Sequence, residues 1–324
     1  MTEVKLLAAL RSGGDATPAP ELSKRLGISP SELQSQLDGL KKLGYEVEAT
    51  PHQGFRLRTA PDVLHRADLL SLTTGNRIIG RDVQIFSETT STNDLADKLG
   101  RDGVPEGAVV FAESQTRGRG RLGRTWFSPP GKGLWFSVLL RPDMRPQAAT
   151  QMTVAAATAA VRAIRAQTGI SPEIKWPNDV LVGGKKLAGI LTEMSAELDR
   201  IKYMVLGIGL DVNLSRDELP PELRPMATSL QIETGKSWRR ADVAAAMLAE
   251  LDRDYGRITA GGFSEVAEEW ERHCSTLGQQ VTINMGARVV HGRAESLDDD
   301  GALLLRTEHG HLERIVGGDV TIAA

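Results

Sequence analysis

The 324-residue chain has a single cysteine, Cys274. One thiol can form neither an intrachain disulfide nor a thiolate metal cluster. Cys274 stands beside His273, which invites a nucleophile reading, yet a lone cysteine near the end of a helical segment reads as a small buried hydrophobe. Also missing is any apolar run near the roughly 18 residues that span a bilayer. The first residues lack the basic, apolar, small-residue order of a signal peptide. These absences predict a cytoplasmic protein with no membrane partner. Metal-ligand clusters are scarce as well. His309 and His311 stand alone in the turn E-H-G-H and read as surface residues. Asp298, Asp299 and Asp300 precede Gly301 between apolar runs, which is hairpin-turn chemistry before it is calcium chemistry. What remains, 40% apolar and 25% charged residues, is ordinary globular material, long enough for two or three domains.

Residues 115–126 read Q-T-R-G-R-G-R-L-G-R-T-W, with Arg117, Arg119, Arg121 and Arg124 interleaved with Gly118, Gly120 and Gly123. Guanidinium forks pair with phosphate or carboxylate, and glycine lets the backbone approach a ligand. The stretch predicts an anion-binding loop, against the plainer reading of a solvated basic turn. Its G-x-G-x-x-G spacing is not a dinucleotide fingerprint, which needs a helix after the last glycine. Here Trp-Phe-Ser-Pro-Pro-Gly and a second apolar run follow, and two prolines exclude that helix. A kinase glycine loop is excluded too, because neither H-R-D nor D-F-G occurs.

Three segments differ in character: 1–66, 67–275 and 276–324. The first predicts short helices and a hairpin. Leu6, Leu7 and Leu10 share a face, Ser29 caps a helix carrying Leu33, Leu37, Leu40 and Leu43, and strands flank a turn at 51–53. This is the outline of a winged helix-turn-helix. It holds nine Lys/Arg against eight Asp/Glu, a balance of +1, a weak footprint for binding phosphates. Ser31, Gln34 and Ser35 are its candidate DNA-reading residues, with Gln34 able to pair with adenine. The middle segment predicts a mixed, largely antiparallel sheet with packed helices, including a hairpin turned at Gly183-Gly184. The last predicts a small five-stranded barrel. The fold class is α+β.

Four motifs then line up: Ser91-Thr92-Asn93 entering a helix, the arginine loop, Lys175-Trp176-Pro177-Asn178-Asp179, and Lys186-Leu187-Ala188-Gly189-Ile190. With the winged helix-turn-helix in front and the barrel behind, the chain closely resembles the biotin protein ligase family, in its bifunctional class that doubles as biotin operon repressor. The resemblance covers nearly the whole chain. It implies a biotin/lipoate ligase-like catalytic domain, an SH3-like C-terminal barrel, and an enzyme that makes biotinyl adenylate from biotin and ATP with Mg²⁺. Biotin then passes to a lysine of a biotin carboxyl carrier protein. Operator DNA and a ligand-linked homodimer are the further partners implied.

By the same resemblance, Ser91, Thr92, Asn93, Gln115, Gly118, Arg119, Arg121, Lys186 and Gly189 hold biotin. Arg119, Arg121, Arg124, Trp126, Asn178, Asp211 and Asn213 hold ATP, and Asp179 positions Mg²⁺. Lys186 and Arg121 are the catalytic pair, offsetting the repulsion between a carboxylate and a polyphosphate. Ser91 and Thr92 could instead be helix caps, Trp126 and Trp176 core aromatics, and Asp179 a turn residue. Two departures stand out. Asp211 replaces the family's usual asparagine, and an aspartate accepts from adenine but cannot donate to its ring nitrogens. Pro30 and Ser35 replace basic residues of the recognition helix, which weakens the repressor half. The competing readings are a lipoate or octanoate transferase and a ligand-sensing DNA-binding regulator without ligase activity.

Overall fold

The computed structural model describes residues 2–12, 16–50 and 53–322. The N-terminal unit is built from α1 (Thr2–Ser12), α2 (Ala19–Leu26), α3 (Pro30–Lys42) and the antiparallel pair β1 (Glu46–Thr50) and β2 (Gly54–Thr59). A reciprocal cap starts α3. Ser29 Oγ accepts from the Glu32 amide at 3.2 Å, while Glu32 accepts from the Ser29 amide at 2.8 Å, satisfying two donors that a helix start leaves open. Leu33, Leu37 and Leu40 are buried against α1 and α2 as expected, but Leu43 lies beyond the last turn and is 47% exposed. Of the turn expected at 51–53, residues 51 and 52 lie outside the described residues.

After a linker, α4 (Arg66–Leu72) leads into a seven-stranded sheet made of β3 (Asp82–Thr89), β4 (Ala108–Gln115), β5 (Gly133–Leu140), β6 (Glu173–Lys175), β7 (Asp179–Val182), β8 (Lys185–Ala196) and β9 (Ile201–Asp211). Its order is β3-β4-β5-β9-β8-β7-β6, and only β3 and β4 run parallel. Gly183 and Gly184 take φ of 55° and 76° to turn β7 into β8, the left-handed pair a two-residue hairpin needs. One short helix, α5 (Thr92–Arg101), follows β3. The alanine-rich helix (Thr150–Thr168, α6) has eleven of its 19 residues buried, with α7 (Leu230–Thr234), α8 (Arg240–Thr259) and α9 (Phe263–His273) following it. The expected mixed, largely antiparallel sheet is what forms.

The C-terminal strands β10 (Gln280–Asn284), β11 (Val289–Leu297), β12 (Leu303–Thr307), β13 (Leu312–Ile315) and β14 (Asp319–Ile322) form an antiparallel sheet in the order β13-β12-β11-β10-β14. Among the described residues its edges, β13 and β14, do not pair with each other. Asp298 accepts from the amides of Asp300 and Ala302 at 3.0 and 2.8 Å, so the Asp run is turn chemistry. His309 and His311 are exposed. Burial pushes the Cys274 thiol up from its ordinary value, which keeps it protonated and inert. No helix among the described residues is long and apolar enough to cross a membrane.

Adjacent arginines pin the linker to the large sheet. Arg240, 2% exposed, takes Asp62 through its amide at 2.8 Å and Glu113 through its guanidinium at 2.5 Å. Arg239 pairs with Asp68, a fully buried carboxylate that Arg11 of α1 also holds. Buried carboxylates need such partners.

Candidate active site

The arginine loop closes on itself before it meets anything else. The Trp126 amide donates to Gly118 O at 2.9 Å, and the Gly120 amide to Arg124 O at 2.7 Å. A Cβ at Gly118 would lie 2.7 Å from Trp126 O and 2.8 Å from Ser128 Oγ. Gly118 is therefore required by the neck of the loop. At the tip, Leu122 and Gly123 are both left-handed, at φ 56° and 74°, and Leu122 is 70% exposed, a strained position for a leucine.

Beneath the loop is a cavity of about 570 Å³ lined from the start of α5, Gln115, the arginine loop, the β6–β7–β8 hairpins, the end of β9, the segment after it and the entry to β14. Its floor is glycine. Gly189 and Gly209 face each other across β8 and β9, and a Cβ on either would lie 2.7 or 2.5 Å from the Trp126 ring. Trp126 thus lies flat on the sheet. Lys186 Nζ sits 5.1 Å from the Trp126 ring centroid. Trp176, by contrast, is a core aromatic, 2% exposed.

Three cations of the site have a resident carboxylate partner. Arg119 donates to Asp94 at 2.5 Å and to Glu193 at 3.3 Å. Arg124 pairs with Asp319 of β14, and Lys186 with Asp179 at 2.6 Å. Arg121 differs. It donates to the neutral oxygens Asn178 Oδ1 at 3.0 Å and Gly318 O at 3.5 Å, and among the described residues no carboxylate lies within ion-pair distance. Burial pushes its guanidinium down from the ordinary value, so of the four it is the charge most in need of an anion. Arg117 is exposed and does not line the cavity.

Asp211, 6% exposed, closes β9 at the cavity wall. Burial raises its carboxyl well above the ordinary range, against the opposing pull of Lys186. In its protonated form such a carboxyl would present an O–H donor beside its carbonyl acceptor. Leu219, Leu223, Met226 and Ala227 make an apolar wall in the same cavity.

Of the residues expected at the site, Ser91, Thr92, Asn93, Gln115, Arg119, Arg121, Arg124, Trp126, Asn178, Asp179, Lys186, Gly189 and Asp211 line this cavity. Ser91 precedes α5 without capping it through its side chain, so the cap-only reading fails for it. Two of the expected residues, Gly118 and Asn213, do not line the cavity. Gly118 sits in the loop neck. Asn213 donates to Asp62 at 3.0 Å and to Trp238 O at 2.7 Å, and accepts from the Trp238 amide at 2.9 Å, which ties it to the linker. The sequence reading missed Gly207, Gly209, Ser137, Glu193 and Asp319. Paired glycines inside an apolar strand are the signal that could have exposed Gly207 and Gly209, since they mark close approach. On α3, Ser31, Gln34 and Ser35 are exposed as expected, with Gln34 donating to Asp38 at 2.9 Å.

A profile of the Biotin/lipoate A/B protein ligase family matches residues 85–213, one for the biotin protein ligase C terminal domain matches 276–322, and one for an HTH domain matches 3–56. The bifunctional ligase/repressor BirA of Bacillus spizizenii is 38% identical over 316 residues, covering 96% of this chain and 95% of that protein. The chain belongs to the biotin protein ligase family. The biotin--[acetyl-CoA-carboxylase] ligase of Paracoccus denitrificans is 35% identical over 70% of this chain and 95% of its own length. The biotin protein ligase of Aquifex aeolicus, solved in complex with biotin and ATP, superposes with a TM-score of 0.64 at 30% identity, covering 75% of this chain and 99% of that one. Family membership accounts for the meeting of four distant motifs on one cavity.

Proposed function

We propose that the protein is an ATP-dependent biotin protein ligase, joining the biotin carboxylate to the α-phosphate of ATP with loss of pyrophosphate. The resulting biotinyl adenylate then acylates a lysine of a biotin carboxyl carrier protein of the acetyl-CoA carboxylase type. The observation that carries this is the convergence of Arg121, Lys186 and Asp179 on one glycine-floored cavity. Two anions must meet there, and a half-buried arginine with no carboxylate at ion-pair distance among the described residues offsets their repulsion. Lys186 exchanges Asp179 for the reacting phosphate and stabilises the charge that develops on it. Ser91, Thr92 and Gln115 take the biotin head, Arg119 its tail, and Trp126 and Asp211 the nucleotide.

Asp179 fits Mg²⁺, which takes one or two carboxylates and fills its shell with water and phosphate oxygens. Among the described residues no group of three or more His, Cys, Asp or Glu forms a cage, as suits an ion shared with a nucleotide. When bound, the ion supplies charge neutralisation at the phosphates.

A second role as biotin-responsive repressor is favoured by the helix-turn-helix match and by relatives named ligase/repressor. Its partners are operator DNA and a second copy of the chain, in the cytoplasm. We divide the chain at 1–66, 67–275 and 276–324, with the three profile matches, at 3–56, 85–213 and 276–322, falling one inside each segment. Transfer of labelled biotin to a carrier domain, with ATP and Mg²⁺, tests the ligase. Wild-type transfer that falls in Lys186→Ala and Arg121→Ala is the expected result, and biotin binding without transfer would favour the ligand sensor.

A further inference from the structure

Three carboxyls line the cavity, and two of them are taken, Asp179 by Lys186 and Asp319 by Arg124. The third, Asp211, is 6% exposed, and among the described residues neither a hydrogen-bond donor nor a cation within ion-pair distance reaches its carboxyl. The charges on the elements around it are committed elsewhere. Lys186 of β8 is the one that acts on it, and Asp179 holds that lysine at 2.6 Å. On β5, Gly133 pairs with Asp211, and Lys132 beside it is held by Glu218 at 2.6 Å. Arg240 of α8, which donates to Gly133 O at 3.4 Å, is held by Asp62 and Glu113. Of the loop cations, Arg119 and Arg124 have their own carboxylates and Arg121 bonds Asn178. A buried carboxyl with neither donor nor cation keeps its proton.

Its position says what it faces. Strand alternation sets Gly207, Gly209 and Asp211 on the cavity side of β9. The Trp126 ring lies over Gly209, and Leu219, Leu223 and Met226 supply an apolar wall. A flat ring with apolar faces suits such a slot, and its polar rim is left to Asp211. On adenine that rim offers the 6-amino donor next to a ring nitrogen that accepts. A carboxylic acid answers both, whereas a carboxylate answers the amino group alone and sets a second lone pair against that of the ring nitrogen. Two adjacent N–H donors, as on guanine, suit the carboxylate better.

We propose that Asp211 is a specificity-determining residue that reads the nucleobase as a neutral acid, donating to a ring nitrogen and accepting from the 6-amino group, so that ATP binding and its preference over GTP both weaken as pH rises. This deepens the ligase reading and rests on it.

The test follows pyrophosphate exchange by the full-length wild type and Asp211→Asn from mildly acid to mildly alkaline pH, giving KM for ATP, KM for biotin and Ki for GTP as competitor. An amide offers its donor and acceptor at every pH, so groups that titrate in ATP or elsewhere in the site cancel in the ratio of the two proteins. The wild-type KM for ATP is expected to rise about 5- to 20-fold relative to the variant across that range, with the ratio for biotin level. In the wild type the Ki for GTP should not rise with it. That comparison needs no variant, so it stands even if Asp211→Asn folds poorly. An ATP ratio that stays level with pH, or a GTP Ki that climbs in step with the ATP KM, would overturn the neutral-acid reading and leave the ligase standing. Absence of exchange by the wild type at every pH would overturn both.

Discussion

The arginine loop and the recognition helix α3 both present charge to solvent at the start of a binding surface, and they do so in opposite ways. In the loop, four arginines stand within eight residues with no acid among them; the counter-ions of Arg119 and Arg124 come from α5, β8 and β14. On α3, Glu32 caps the helix and Gln34 is held by Asp38, so the acids belong to the reading face itself. Nearby, Arg56 and Arg58 of the wing are gathered by Glu48, whose carboxyl they hold down at about 2. A cation whose partner comes from elsewhere can exchange it for a ligand, whereas a basic residue forked onto its neighbour has less to offer phosphate.

The sharpest way to break that comparison is at Lys186. Lys186→Ala is expected to lower the rate of adenylate formation by about 10²- to 10³-fold, with the thermal midpoint nearly unchanged; pyrophosphate exchange measures the first and calorimetry the second. Asp68→Ala should do the reverse. It strands two partly buried arginines, at a cost of about 3 kcal/mol or more, and a denaturant midpoint that does not fall would remove the linker clamp from the account.

Asp211→Asn sharpens the contrast between cavity and surface charge. The folded carboxyl sits above its unfolded value, so its contribution to stability is present below the unfolded pKa and lost as pH rises through the folded one. The variant should lose that part of the fall in stability with rising pH and keep ATP binding, whereas nucleotide binding that vanishes in Asp211→Asn would mean the acid does something an amide cannot. The smallest effect expected is in motion. Amides at 116–124 should gain protection with biotin plus ATP, as a glycine-rich loop orders around its anion, and unchanged exchange would show the loop already set. For α3, a shallow salt dependence of operator binding is expected; a steep slope would mean that basic residues away from its reading face carry the contact.

These regions also differ in how much of them could be read from sequence. The Ser29 cap and the glycine pair at 183–184 are local patterns whose physics is complete within a few residues, and each forms as expected; the reciprocal bond from Glu32 was not anticipated. The clustering of Lys186, Asp179 and Trp126 was legible only through a family resemblance, since spacing alone does not say which strands become neighbours. Ser137 was invisible because a lone serine in an apolar strand has no pattern. Asn213 misled because its partners, Asp62 and Trp238, are brought to it by folding.

The cavity takes its first wall from residue 91 and its last from residues 318–321. Arg124 finds Asp319 only when β14 is in place. A nascent chain therefore cannot hold its ligands properly until almost its whole length has emerged from the ribosome, and a chain cut short before β14 would be born with an open side.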